Sequence, residues 1–168
     1  MTLEAASASR QISRGRIMTL VGVVSLIVLY VMALQLTPTE RFQGLAQKIF
    51  YIHPPAAYAM QMAFIFTGIA SLLYLLLHDA RFDVFAEASA EVGMMFGVIV
   101  VITGPIWGRP VWGTWWEWEP RLTFTVMEIV LFGGYFALRG AVRDPAERAK
   151  FAAVMGLLAW WLVLSRLE

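Results

Sequence analysis

Two histidines, no cysteine and a dense run of tryptophan set the chemistry open to this chain. Without cysteine there are no disulfides, thiolate metal sites or sulfur nucleophiles, so a metal or metallo-cofactor would be held through His, Met or carboxylate. The stretch from Trp107 to Thr123, WGRPVWGTWWEWEPRLT, carries five of the seven tryptophans. Indole offers a broad apolar face and a single N–H donor, which suits a boundary between hydrocarbon and water. Trp112, Trp115, Trp116 and Trp118 cannot all sink into one helix interface, so some ring faces are left for a flat, apolar, π-rich ligand. An aromatic collar at the membrane interface is the competing reading. Against it, Glu117 and Glu119 alternate with the rings and Arg109 and Arg121 bracket them, so charge and ring are interleaved. Pro110 and Pro120 restrict the backbone at the two ends and limit plain helix there.

His53 stands in YIHPP, beside Tyr51 and ahead of two prolines, so its imidazole is held on a stiffened backbone. A neutral imidazole in such a place is a competent axial ligand for haem iron; an interfacial histidine at a helix end is the plainer alternative. His78 reads as interfacial with no ligand role, and Met94 and Met95 as packing residues. Glu128 lies inside an apolar run, where a carboxyl is costly and faces the bundle interior; Arg121 or a tryptophan N–H is the partner to look for. No nucleotide-binding loop, nucleophile and base pair or metal cluster can be assembled from the remaining residues.

The elements that position these groups are membrane helices. With 60% hydrophobic and 15% charged residues in 168, the composition lies outside that of soluble domains. Apolar runs at 17–36, 56–77, 91–106, 122–138 and 151–164 predict an all-α, polytopic transmembrane bundle of about five segments in one integral membrane domain, 1–168. The first run is longer than the core of a secretory signal and is not followed by a small-residue cleavage pattern, so it reads as a retained helix. Residues 37–55 form one outer loop, in which Phe42, Leu45, Ile49 and Ile52 space out a short amphipathic helix ending before Pro54. Residues 78–90 read as an acidic connection, and Gly104 with Pro105 as the end of the third span. The second outer loop is 107–121.

Counting Lys and Arg by side gives eight with the N-terminus (Arg10, Arg14, Arg16, Arg81, Arg139, Arg143, Arg148, Lys150) and five opposite (Arg41, Lys48, Arg109, Arg121, Arg166). The excess predicts a cytoplasmic N-terminus. His53 and the tryptophan stretch then share the outer face. Haem needs a ligand for iron, apolar faces for the porphyrin and cations for its propionates, and that face offers His53, the tryptophans, Arg109 and Arg121. A net charge of +1 with scattered basic residues gives no nucleic-acid surface.

GPIWGRPVWGTWWEWEPRLT closely resembles the tryptophan-rich signature of the haem-handling membrane proteins of cytochrome c assembly. KIFYIHPPAAY resembles the first-histidine segment of one branch, the haem exporter protein C (CcmC) family, and the order of spans is similar from the first helix through the fifth. The resemblance implies a bacterial inner-membrane protein that is not an enzyme. It would hold haem b as transient cargo at its outer face and present it to a periplasmic haem chaperone, beside an ABC-type haem maturation complex. It assigns His53 as the first axial ligand, and it matches Trp112, Gly113, Thr114, Trp115, Trp116, Trp118, Arg121 and Leu122 to the signature. Glu119 stands where the family has Asp, keeping the charge on a longer arm. Family members continue into an outer loop with a second axial histidine and a sixth span, whereas no histidine follows His78 here. The expectation is a chain truncated relative to the family, or a second ligand drawn from another subunit, the chaperone or water. Two other classes fit parts of the pattern. One is the membrane anchor of a quinone-linked redox complex, with the aromatic surface on a quinone ring and Glu128 as proton relay; the other is a scaffold bundle whose tryptophans only anchor it.

Overall fold

A computed structural model describes residues 3–164, with side chains from Arg14 to Leu162. Arg166 and the chain end at Glu168, used above in the charge count and the truncation reading, lie outside the described residues, as does the side chain of Arg10. The elements are all helical: α1 (Leu3–Leu36), a 3-10 helix (Leu45–Tyr51), α2 (His53–Leu77), α3 (Ala80–Trp112), α4 (Pro120–Ala141) and α5 (Pro145–Leu164).

The chain divides into two compact units, 1–51 and 52–168. In the first, α1 is apolar all round over residues 17–36, with Leu20, Val24 and Leu29 each more than half exposed. A helix without a polar face is stable only where lipid replaces water. At its end, Lys48 of the 3-10 helix donates to the Leu34 carbonyl, one of the carbonyls that a helix terminus leaves without a partner. The amphipathic helix expected between residues 37 and 55 is this shorter 3-10 turn.

The second unit is a four-helix bundle in which α2 packs on α3 and α5, and α4 on α5. Small residues on α2 make the close approach: Ala56, Ala63, Gly68 and Ala70 are buried, interleaved with Met60, Phe64, Thr67 and Ser71. At the centre the Phe64 and Phe132 rings stack with centroids 3.7 Å apart, and Tyr135 leans on Phe132 at 6.1 Å. Gly93 of α3 lies over the Phe64 ring; a Cβ there would stand 2.3 Å from Phe64 Cε1. Phe64 is fully buried and stacked on its far side, so it has nowhere to yield. Gly93→Ala is therefore expected to destabilise the bundle by about 1–3 kcal/mol, read as a lower Tm of the chain in detergent; an unchanged Tm would mean that the ring is free to shift.

Among the described residues, four helical stretches are long and apolar enough to cross a membrane: Arg14–Leu36, Leu45–Leu77, Ala80–Trp112 and Pro120–Ala141. The expected fifth, 151–164, belongs to α5, which is helical and packed but begins with the charged Glu147, Arg148 and Lys150. Several expected boundaries move. The α2 helix begins at His53, with Pro54 and Pro55 in its first turn, where a missing N–H costs nothing. The acidic connection expected over 78–90 is only a two-residue turn. His78 caps α2 in the left-handed region (φ 55°), and Asp79 caps α3 by accepting from the Arg81 N–H at 2.9 Å. The Arg81 guanidinium in turn holds the Asp79 carboxyl below the usual carboxylate range. Asp83 and Glu87 are thus one helical turn apart on α3, and both meet Arg139 of α4. Pro105 does not end α3, which continues through Pro105 and Pro110 to Trp112. Inside a membrane bundle the carbonyls freed by proline are met by neighbouring groups, so proline is a weaker stop there than in water.

Candidate functional site

The helix ends bring the predicted residues together at one end of the bundle. His53 is the first residue of α2 and Trp107 and Trp112 close α3, while Gly113 stops α3 in the left-handed region (φ 83°). Residues 113–119 cross to α4, which opens on Pro120 and Arg121. Because α3 carries the tryptophan stretch as far as Trp112, the outer loop expected over 107–121 shrinks to these few residues.

Between α2, α3 and the start of α4 lies a cavity of ≈ 360 Å³, within the range of small-molecule sites. His53, Trp112, Trp116 and Arg121 line it together, and Pro54, Ala57, Val100, Val101 and Leu122 give it apolar walls. Ring contacts run continuously across it. The His53 and Trp107 rings are tilted with centroids 5.7 Å apart, Trp107 and Trp112 lie at 6.4 Å, and the Arg121 guanidinium stands 5.9 Å from the Trp112 ring. Arg121 is also held by Glu119, donating from Nε at 3.0 Å and Nη2 at 2.7 Å to the same oxygen. Glu119 thus sets the direction of a cation at the cavity edge without lining the cavity itself.

The other three predicted residues are placed differently. Trp115 and Trp118 are 60% and 78% exposed and Arg109 sits over Trp115 at 5.9 Å, outside the cavity lining. Arg109 also donates to the Gly113 carbonyl, which braces the turn out of α3. Trp118 packs edge-on against Trp116 at 5.7 Å. Glu128 is fully buried in α4, one turn beyond Thr125, which lines the cavity. Arg121, considered above as its partner, is engaged by Glu119, and Trp116 Nε1 is buried with no acceptor.

Other residues that bear on the site carried no ligand-binding flag in the sequence. Thr103 Oγ1 lies 2.9 Å from His53 Nδ1, and Gly104 leaves room for the imidazole, since a Cβ there would stand 3.3 Å from His53 Cε1. Gln61, a polar exception in an apolar run, sits two turns after His53 on the same helix face; its Nε2 is buried without an acceptor. That spacing was a readable signal. Among the described residues, no group of three or more His, Cys, Asp or Glu could hold a metal ion. The cavity instead combines one imidazole, aromatic faces, one cation and two N–H donors in need of acceptors.

Fold and site together define a multi-pass helical membrane protein with a histidine-bearing aromatic cavity at one end of its bundle. A family model described as Heme exporter protein C matches residues 3–163, and the chain belongs to that family. It is 39% identical over 123 residues to Heme exporter protein C of Paracoccus denitrificans, covering 73% of this chain and 51% of the relative. To Heme exporter protein C of Escherichia coli strain K12 it is 30% identical over 141 residues, covering 84% and 58%. A putative cytochrome c biosynthesis ccmC-like mitochondrial protein of Marchantia polymorpha is 33% identical over 123 residues, covering 73% and 51%. The chain spans about half the length of the curated relatives it matches.

Proposed function

We propose that this chain holds haem b as transient cargo at the outer face of the bacterial inner membrane and passes it on for cytochrome c assembly. The observation that carries this reading is the convergence of His53, Trp112, Trp116 and Arg121, drawn from three helices and the segment that joins α3 to α4, on one apolar cavity. Iron that arrives inside a porphyrin brings its own four equatorial nitrogens, so the protein needs to add only an axial ligand, and a lone imidazole suffices. Indole faces give the macrocycle an apolar contact surface. The Arg121 guanidinium, fixed by Glu119, supplies a cation for a propionate. Gln61 Nε2 and Trp116 Nε1, buried without acceptors, would be relieved by a ligand oxygen.

In this reading the chain binds and releases without catalytic turnover, as a single integral membrane domain. The excess of Lys and Arg beside the N-terminus supports a cytoplasmic start and an outward-facing cavity. Trp115 and Trp118, exposed outside the cavity, are the surface left for a periplasmic haem chaperone, and an ABC-type haem maturation complex is the expected companion in the membrane.

Ferric haem titrated into the purified full chain in detergent tests the site. The Trp112→Ala, Trp116→Ala double variant is expected to bind at least tenfold more weakly, a loss of about 1.4 kcal/mol, followed by the Soret band and tryptophan quenching. Equal affinity in the variant, or a bound quinone that displaces haem from the wild type, would favour a quinone-binding anchor instead.

A further inference from the structure

We propose that Thr103 is a positioning residue that holds His53 as the Nδ1–H tautomer and so leaves Nε2 as the nitrogen that meets iron. The inference rests on the haem-binding reading above and adds to it a residue that acts through His53.

One hydrogen atom decides the tautomer. Thr103 Oγ1 donates to the Ile99 carbonyl at 2.7 Å, one turn back on α3. A carbonyl has no hydrogen to give, and a hydroxyl has only one, so the Thr103 hydrogen is already committed. The same oxygen lies 2.9 Å from His53 Nδ1. For both contacts to be hydrogen bonds, the imidazole must donate and Thr103 must accept. A neutral imidazole carries one N–H. With that hydrogen on Nδ1, Nε2 bears the free lone pair, which is what an axial ligand requires.

Neighbouring residues keep the ring in this setting. Gly104 follows Thr103 and lets the ring lie close to the α3 backbone, since an added Cβ would come within 3.3 Å of Cε1. Trp107, one turn on from Thr103, tilts at 52° to the imidazole with centroids 5.7 Å apart. A ring flip would bring carbon to the Thr103 oxygen and lose the bond. Thr103, Gly104 and Trp107 therefore fix position, plane and tautomer from one face of α3. In metal sites such a partner on the far nitrogen raises ligand basicity, and its removal weakens binding by about 10- to 100-fold.

The experiment uses the full chain in detergent, with hemin as probe. Thr103→Val keeps the shape and removes the hydroxyl; the dissociation constant is expected to rise about tenfold, and the iron–histidine stretch of the ferrous form to fall. Thr103→Ser is expected to restore both. In a His53→Ala background, Thr103→Val should cause no further loss. Unchanged affinity and stretch in Thr103→Val, no rescue by serine, or a further loss in the His53→Ala background would overturn the proposal. Nitrogen NMR of the ligand-free chain reads the tautomer without haem: an Nδ1–H His53 that is lost in Thr103→Val is expected, and an Nε2–H tautomer in the wild type would overturn it. The positioning inference and the haem reading can therefore fail separately, since a chain with the Nδ1–H tautomer but no His53-dependent Soret band would sink only the latter.

Discussion

A His53→Ala chain is expected to lose haem affinity on the order of 100-fold, about 2.8 kcal/mol, and the sharp Soret band of imidazole-ligated iron should broaden toward that of unligated haem. Porphyrin contact with Trp112 and Trp116 survives the substitution, while the bond to iron does not. His78→Ala is the matched control. His78 caps the opposite end of α2, about 37 Å away along a helix that rises ~1.5 Å per residue, so its loss should leave the band unchanged. Titrations followed at the Soret maximum distinguish the two variants, and equal effects would contradict the assignment of His53.

The second large effect lies at that opposite end. Arg139 is buried, with its side chain 5% exposed, and donates to both oxygens of Asp83 at 2.6 and 3.1 Å and to Glu87 at 2.5 Å. Tyr135 lies beneath the guanidinium, 5.6 Å from it. Removing one member of a buried ion pair leaves the other charged, desolvated and uncompensated, at about 3–5 kcal/mol. Glu87 is partly exposed, so Asp83 dominates and the lower end applies: Arg139→Met is expected to cost about 3 kcal/mol, seen as a large fall in Tm in detergent. Adding Asp83→Asn and Glu87→Gln should recover most of the loss, because neutral amides tolerate the site without a counter-charge. If the single variant is as stable as the wild type, the pair does not tie α3 to α4. Haem affinity in the triple variant should match that of the wild type, since the ion cluster and the cavity stand at opposite ends of the bundle.

The sequence carried the helical class, four of the five expected spans and the proximity of His53 to the tryptophan stretch, because each rests on strong and local signals. Apolar runs mark the hydrocarbon segment, however, and not the helix. The α3 helix extends well beyond the expected 91–106 on both sides, since Asp83 and Glu87 belong to a helix end that reaches polar partners. Pro105 misled for a related reason: its penalty is computed for water, whereas α3 is supported inside a bundle. At the site, spacing alone could not separate Trp112 and Trp116, which line the cavity, from Trp115 and Trp118, which do not. All four lie at or beyond the end of a helix, where side-chain direction follows the turn at Gly113. Thr103 was illegible for a different reason. A hydroxyl in an apolar run normally bonds back to its own helix, as Thr103 does with Ile99, and its second partner is fifty positions away in the chain.

The central claim is that His53 is the protein's ligand to haem iron, and the iron–histidine stretch of the ferrous chain tests it most directly. With only two histidines present, growth on heavy-nitrogen histidine labels only His53 and His78. The expected stretch shifts on labelling, persists in His78→Ala and vanishes in His53→Ala. A labelled stretch that survives in His53→Ala, or that is lost in His78→Ala, would contradict it.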